Sequence, residues 1–275
     1  MTNSKLLLAT DFSKKSFKII KNVLKYIENK EDELFIIHVI EDKLFQEKID
    51  IEIAKTEGFK LLKKKFPILK EEQFICVEGD LEEQIALYTE KLMISFTILG
   101  NSKKNDFIYS FFENSNTKDI VRNLKTLNLI IKSKDEISFK NILIPSDLSP
   151  ESKKYIYEVS SAFPEAKIKI YYSYSLPYER GYNFNLNKKE ISEYQKEIKK
   201  DLIKEAEDFF NSLEITNKKK LIIKEGILDV KKLLKDSKDL KTDLLAIHTT
   251  GFFSFFAFYL VEYSKTNILI KKVNS

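Results

Sequence analysis

Two short segments of the chain place a carboxylate and a hydroxyl directly after an apolar run. Asp11 and Ser13 follow the apolar residues 6–9, and Asp147 and Ser149 close the same pattern 136 positions later. An apolar run of this length without polar alternation is typical of a strand buried on both faces. The carboxylate and the hydroxyl can accept backbone N–H groups at the start of a following helix. They can also contact a ligand at the end of the strand.

Groups for most catalytic chemistry are scarce in this sequence. The chain has two histidines and one cysteine, and it contains no Gly-x-x-x-x-Gly-Lys-Ser/Thr, Gly-x-Gly-x-x-Gly or Gly-x-Ser-x-Gly motif. We interpret His38 as a hydrogen-bonded strand histidine and Cys76 as a strand core residue. Because so few acid–base and nucleophilic constellations can be assembled, we predict that the protein is not an enzyme.

The charge of the chain argues against nucleic acid as a partner. The formal net charge is +5, but Arg122 and Arg180 are the only arginines, and the lysines are scattered among glutamates. Base and phosphate recognition favours the forked guanidinium of arginine. We therefore expect no binding to nucleic acid.

Cysteine content and apolar runs bear on the compartment. A single cysteine cannot form an intrachain disulfide and fits a reducing environment. The longest apolar stretch, residues 252–261, is far below the roughly 20 residues needed to cross a bilayer. We expect a cytoplasmic protein without a membrane partner, in which this stretch is a buried helix. An exposed patch for oligomerisation or a membrane surface is the alternative.

The chain repeats itself, so that a first and a second copy of one pattern can be aligned. Each copy alternates short apolar runs with amphipathic segments, and the third run of each copy ends in Glu-Gly, at Gly79 and at Gly226. The second copy has an insertion around residues 176–194 and a deletion near its end. The matching runs are 5–13 with 140–149, 34–40 with 168–174, 74–79 with 221–226, 96–99 with 244–247, and 128–132 with 267–271.

Strands that alternate with helices form a parallel sheet with right-handed crossovers and helices on both faces. The predicted fold class is α/β, with two tandem Rossmann-like domains that each contain a five-stranded parallel sheet. The domains are predicted at residues 1–134 and 139–275, joined by the polar stretch 133–138. Ligands of such sheets bind beyond the carboxyl ends of the strands.

This architecture, with Thr10-Asp11-Phe12-Ser13 after the first strand and His38-Val39-Ile40 at the end of the second, resembles the universal stress protein family. The resemblance covers nearly the whole chain as a tandem pair. It implies a fold similar to that of the adenine nucleotide alpha hydrolases and a binding or regulatory role in the stress response. Nucleotide-binding members carry Gly, two residues, Gly, nine residues, Gly, then Ser or Thr after strand four, so that backbone N–H groups approach the phosphates.

The first copy meets this pattern in part. Gly100 is present, and Lys103 stands at the second glycine. The third glycine position falls at Glu113, or at Asn114 if one residue is inserted. Asparagine tolerates the left-handed backbone conformation better than most residues. The resemblance implies that ATP, with magnesium, is the candidate ligand of this copy. The implied binding residues are Ala9, Asp11, Val39, Gly100, Asn101, Ser115 and Thr117.

The second copy departs further from the pattern. From Gly100 to Asn128 there are 28 positions, but from His248 to Asn267 there are only 19. The deletion removes the positions at which the family pattern has its last glycine and its serine. Phenylalanines occupy the positions that remain in this segment. We therefore expect no nucleotide in this copy, and we interpret Asp147 as a capping residue.

Two other functions stay open. The eroded glycines and the phenylalanine-rich residues 252–258 favour a protein-interaction module that binds no nucleotide, and a weak ATP hydrolase is a third reading. In the family the last strands of two domains commonly pair. We therefore predict that residues 128–132 and 267–271 pair in an internal pseudo-dimer, and leave open whether a homodimer forms as well.

Overall fold

A computed structural model describes residues 4–41, 50–100, 126–132, 137–176, 188–249 and 255–273. The strands within these ranges are β1 Lys5–Ala9, β2 Glu33–Ile40, β3 Phe74–Glu78, β4 Phe96–Gly100, β5 Leu127–Ile131, β6 Asn141–Pro145, β7 Lys167–Tyr174, β8 Lys219–Glu225, β9 Leu244–Thr249 and β10 Asn267–Lys272. The helices are α1 Lys14–Ile27, α2 Ile51–Lys65, α3 Leu81–Lys91, α4 Pro150–Ala162, α5 Lys188–Asn211, α6 Val230–Asp239 and α7 Phe255–Tyr263. Every strand predicted from the repeat is present. The runs 5–13 and 140–149 extend four residues beyond the ends of β1 and β6, and the ends of the other runs differ from the strand ends by no more than two residues.

The chain divides into two compact units that do not follow the boundary of the sequence repeat. The first unit contains residues 1–138 and 248–275, and the second contains residues 139–247. The last helix and strand of the second copy, α7 and β10, thus belong to the first unit. One reason is that β10 forms hydrogen bonds with β5, a strand of the first unit.

The sheet of the first unit has the strand order β3-β2-β1-β4-β5-β10. Its first five strands are parallel, and β10 is antiparallel to β5. The central strand β1 is buried on both faces, since Leu6, Leu7 and Leu8 are at most 5% exposed. This burial explains why the sequence of β1 is apolar without alternation.

The second unit repeats the first at the level of topology. Its strands run in the order β9-β6-β7-β8, which matches β4-β1-β2-β3 of the first copy, and they are parallel. The repeat extends to the turn after the third strand. Gly79 and Gly226 both have a positive φ. Their N–H groups donate to Ile40 O at the end of β2 and to Tyr174 O at the end of β7. A parallel α/β fold is therefore present in both copies.

The apolar stretch near the end of the chain forms α7. Ala257, Leu260 and Val261 are buried, whereas Tyr259 and Tyr263 are exposed. This helix thus buries one of its faces, and residues 252–254 lie outside the described residues. Within the described ranges, no helix combines the length and the apolar character that a membrane crossing requires.

The pairing of β5 with β10 is self-complementary. Leu129 faces Leu269 and Ile130 faces Ile268. In the repeat Leu129 corresponds to Ile268 and Ile130 to Leu269, so each pair exchanges into the other under a twofold rotation. Such a contact is isologous, the kind that two identical subunits make in a symmetric dimer. The prediction that these two strands pair is confirmed.

Lys132 lies at the edge of this strand pair, partly buried. Its N–H donates to Oδ1 of Asn267 over 2.9 Å, and its Nζ donates to Val261 O, in the last turn of α7. Burial lowers the pKa of Lys132 to about 8, although the charge of Glu262 opposes the shift. Folding therefore favours loss of the proton from this ammonium group.

The depressed pKa predicts a pH dependence of stability. Between about pH 8 and the ordinary lysine value of about 10.4, the unfolded chain binds more protons at Lys132 than the folded chain does. The free energy of unfolding should therefore rise with pH, by on the order of 1 kcal/mol after allowance for solvent screening. Urea denaturation of the wild type and of Lys132→Met at pH 7.5, 8.5 and 9.5 measures this, and the variant should lack the rise.

The pH range of that experiment has an upper limit. Burial raises the pKa of Tyr155 and of Tyr171, so stability falls once unfolded tyrosines ionise near pH 10. Both proteins share this decrease, and it cancels in their difference. A difference in unfolding free energy that stays constant from pH 7.5 to 9.5 would contradict the role of Lys132.

Candidate functional site

The carboxyl ends of three neighbouring strands meet at one edge of the first unit. The order β2-β1-β4 places Ala9, Val39 and Gly100 at or next to the ends of adjacent parallel strands. All three residues are partly exposed. The chain turns from β1 toward β2 on one side, whereas β4 and β5 lie on the other, so the gap between β1 and β4 is the topological switch point. Ligands of parallel α/β sheets bind at such points.

Asp11 lies directly after β1 in a tight turn that starts α1. Its Oδ1 accepts the N–H of Ser13 over 2.9 Å. The helix cap is Ser13 and not Asp11, because Ser13 Oγ accepts the N–H of Ser16 over 3.1 Å. Asp11 thus stabilises the turn, and its exposed carboxylate remains accessible from the strand edge.

The environment of Asp11 favours its ionised form. Partial burial alone would raise its pKa, but hydrogen bonds from the side chain and backbone of Ser13 and from Ser16 outweigh burial and lower the pKa. Hydrogen bonds to the charged form of a carboxylate have this effect. Asp11 is therefore a carboxylate at neutral pH, able to accept from a hydroxyl or to approach a cation.

Two hydroxyls beneath the turn were not among the predicted site residues. Thr10 is buried, and its Oγ1 accepts the N–H of Phe12 and donates to Oγ of Ser16, each over 3.1 Å. The sequence contained a signal for them. Ser146 and Ser152 occupy the equivalent positions of the second copy and are joined by the same bond, at 2.7 Å. Paired hydroxyls at the same spacing in both copies indicate a shared support for the turn.

Phe12 fixes the shape of the turn through an unusual backbone. Its φ is +56°, in the left-handed region that few residues other than glycine adopt. Its ring lies 4.7 Å from the ring of His38, and Gly58 of α2 faces it so closely that a Cβ there would be 2.9 Å from Phe12 Cζ. His38 Nδ1 donates to Thr10 O over 2.8 Å. His38 is hydrogen-bonded in a structural role, as the sequence predicted.

The second copy builds the same turn. Leu148 has φ +63°, and its N–H donates to Ser146 Oγ over 3.1 Å. Asp147 Oδ1 accepts from the N–H and Oγ of Ser149, and Ser149 is the cap of α4. Asp147 is therefore not the capping residue that the sequence predicted, because its carboxylate stabilises the turn and Ser149 provides the cap. At the end of β9, the place of Gly100 is taken by His248.

The other predicted site residues of the first copy are not placed by the structure. Asn101, Ser115 and Thr117 lie outside the described residues, as do Lys103 and Asn114. The shortened segment of the second copy, residues 250–254, lies outside them too. Gly100 is described at the end of β4, where a Cβ would meet only the end of the Ile19 side chain, at 2.8 Å. Because the end of the Ile19 side chain is flexible, steric contact does not require a glycine at position 100.

The fold and this strand edge define a parallel α/β protein with an open carboxyl edge at its switch point, and the comparison with protein families adds to this description. Residues 2–132 match the universal stress protein family. The first copy of the repeat is therefore a universal stress protein domain. A search of curated proteins found no match to the sequence.

Solved structures resemble the whole chain in fold. A universal stress protein from Archaeoglobus fulgidus aligns with a TM-score of 0.64 and 15% identity, over 99% of this chain and 99% of that chain. A protein of unknown function from Pseudomonas aeruginosa PAO1 aligns with a TM-score of 0.63 and 11% identity, over 99% and 93% of the two chains. A putative universal stress protein from Pseudomonas aeruginosa UCBPP-PA14 gives 0.62 and 12%, over 98% and 93%. At these identities the likeness concerns the fold alone.

Proposed function

We propose that the protein is a stress-response binding protein that takes an adenine nucleotide, as ATP with magnesium, at the carboxyl edge of the first copy. The observation that carries the proposal is the convergence of Ala9, Asp11, Val39 and Gly100 at the switch point of the first sheet. Polar groups at such an edge are what a nucleotide-binding α/β domain presents to its ligand. In this proposal Asn101, Ser115 and Thr117 complete the site.

The chemistry of Asp11 supports this proposal. Its carboxylate is exposed, and hydrogen bonds from Ser13 and Ser16 lower its pKa. An ionised carboxylate held by a rigid turn can accept from ribose hydroxyls or approach a nucleotide-bound cation. The turn itself is fixed by the buried Thr10 and by the ring of Phe12, so the carboxylate needs little reorganisation to bind.

The proposal is one of binding without catalysis, in the first copy only. The second copy has the same aspartate turn, but His248 stands where the first copy has Gly100. The second copy also has only 19 positions from His248 to Asn267 where the first has 28 from Gly100 to Asn128, so the place of the last glycine and the serine is missing. Asp147 therefore serves as a matched control for Asp11.

Calorimetric titration with magnesium and ATP tests the nucleotide site. We expect the wild type to bind, Asp11→Ala to bind about tenfold more weakly, and Asp147→Ala to bind like the wild type, because a charge-assisted hydrogen bond contributes about 1.5–3 kcal/mol. The melting temperatures of the two variants should be similar, since both lose equivalent turns. No heat at millimolar ATP, or equal weakening by both substitutions, would refute the site.

An internal pseudo-dimer is part of the same proposal. The self-complementary pairing of β5 with β10 supports it, because the pair has the register of an isologous subunit contact. One polypeptide would then contain the strand pair that two single-domain chains form when they associate as a dimer.

A further inference from the structure

Helix α1 exposes a row of lysines on the side away from its buried residues. Lys14, Lys18, Lys21 and Lys25 are three or four positions apart, so they lie on one side of the helix, and all four are exposed. Lys15 is exposed as well, and the helix contains no acidic residue. Within the described ranges, Lys14, Lys18 and Lys21 take part in no ion pair. The outer side of α1 therefore carries positive charge that its described neighbours do not neutralise.

The fold does not require this charge. Helix α4 holds the equivalent place in the second copy, is capped by Ser149 as α1 is capped by Ser13, and contains two lysines and two glutamates. Like charges four positions apart, such as Lys14 with Lys18 and Lys21 with Lys25, destabilise a helix slightly. The lysines of α1 thus indicate a role other than folding.

The last turn of α2 extends the positive surface. Phe17 of α1 lies 6.2 Å from Phe66, the C-cap of α2, and Lys65 Nζ lies 4.8 Å from the centre of the Phe17 ring. These contacts place the end of α2 beside α1, and Lys64 and Lys65 are both exposed there. We call the lysines of α1, together with Lys64 and Lys65, the lysine face.

An exposed isoleucine adjoins the lysine face. Ile68 follows α2 and is 73% exposed. The turn that carries it is fixed, because Leu69 is buried and its N–H donates to Phe66 O over 3.1 Å. Lys63 Nζ also donates to Pro67 O and to Leu69 O, each over 2.7 Å. An ordered turn thus holds an apolar side chain in solvent next to positive charge.

We infer that the lysine face and Ile68 dock on a membrane surface that contains anionic phospholipids. Clusters of roughly four to eight basic residues on a helix are typical of proteins that bind such surfaces. An apolar side chain beside them can enter the interface between headgroups and acyl chains. Lysine without arginine argues against nucleic acid, whose bases and phosphates favour the guanidinium group.

This inference departs from the sequence prediction of no membrane partner. That prediction rested on the length of the apolar runs, and a contact with the membrane surface needs no segment that crosses the bilayer. The docking surface lies on helices α1 and α2 and is independent of the nucleotide proposed above.

Sedimentation of the full chain with vesicles tests the inference. Vesicles of phosphatidylcholine with about one-third phosphatidylserine are compared with vesicles of phosphatidylcholine alone at low ionic strength. We expect at least tenfold tighter binding to the anionic vesicles, and loss of this difference at about 0.5 M KCl, because salt screens the attraction. Equal binding to both vesicles, or none to either, would overturn the inference.

A charge variant locates the contact on α1. The triple variant Lys18→Gln, Lys21→Gln, Lys25→Gln should bind anionic vesicles at least tenfold more weakly, because one lysine near such a surface contributes roughly a factor of five. The variant keeps Asp11 and its turn, so ATP binding should not change, which separates this outcome from that of the nucleotide test.

Helix α5 of the second unit supplies the matched control. The triple variant Lys196→Gln, Lys200→Gln, Lys204→Gln removes the same charge from exposed positions that are interspersed with acidic residues. It should bind anionic vesicles within about twofold of the wild type. Equal weakening by the two triple variants would show that net charge alone matters and would contradict docking through α1.

Ile68 distinguishes a membrane from nucleic acid. Ile68→Ser should weaken vesicle binding about threefold, because the apolar side chain no longer enters the interface. Ile227→Ser, at a position 76% exposed in the second unit, is the control and should leave binding unchanged. Duplex DNA that binds as tightly as the anionic vesicles, and loses affinity in the α1 triple variant but not in Ile68→Ser, would identify a nucleic-acid surface and overturn the inference.

Discussion

Replacing Leu269 by alanine is expected to lower the free energy of unfolding by about 2–5 kcal/mol. Leu269 lies in β10, is fully buried, and faces Leu129 of β5. Truncation removes apolar surface from the core and leaves a cavity, because the closely packed neighbours of a buried side chain can move only a little to fill it. Urea denaturation followed by circular dichroism measures the effect.

A surface substitution of similar size supplies the control for Leu269→Ala. Ile227 is 76% exposed, so Ile227→Ala should change stability by no more than about 0.5 kcal/mol. The double variant Leu129→Ala with Leu269→Ala should show a coupling of about 0.5–3 kcal/mol, as residues in contact do. A loss for Leu269→Ala no larger than for Ile227→Ala would mean that β10 does not form its pair with β5.

Gly58→Val is the second substitution with a large expected effect, a loss of about 1–3 kcal/mol. A Cβ at Gly58 would lie 2.9 Å from Phe12 Cζ and 3.0 Å from Phe74 Cζ, so two rings must move. Valine has the better helix propensity of the two residues by a few tenths of a kcal/mol, and this gain is smaller than the cost of overpacking. Thermal unfolding of the variant measures the net result.

The neighbouring residue Thr56 offers a matched control on the same helix. Thr56 is exposed, so Thr56→Val introduces the same side chain away from the aromatic cluster and should change stability by less than about 0.5 kcal/mol. Because Phe12 forms the turn that holds Asp11, Gly58→Val should also weaken ATP binding. A melting temperature equal to that of Thr56→Val would show that the Phe12 ring does not depend on the glycine.

The repeat was the strongest signal in the sequence. Apolar runs without alternation predicted the strands, and the aspartate and serine that follow the first run of each copy predicted the start of a helix there. Both predictions depend on local composition and on the exclusion of polar groups from a doubly covered sheet, which are visible one segment at a time. Thr10 and Ser16 were missed as supports of the turn, because a hydroxyl can bond locally in many ways and only its partner reveals which one it uses.

Sequence alone determined the fold class, the order of the strands along the chain, and the positions of Asp11, Val39 and Gly100 at the carboxyl edge of the first sheet. These follow from short-range patterns of burial and from the handedness of the crossovers. The tertiary structure decided that residues 248–275 belong to the first unit, in which register β5 and β10 pair, and that Ser13 and Ser149 cap the helices in place of the aspartates. The first two depend on strands far apart in the chain, whose packing no local pattern encodes, and the third depends on which of two nearby capping residues accepts the helix N–H group.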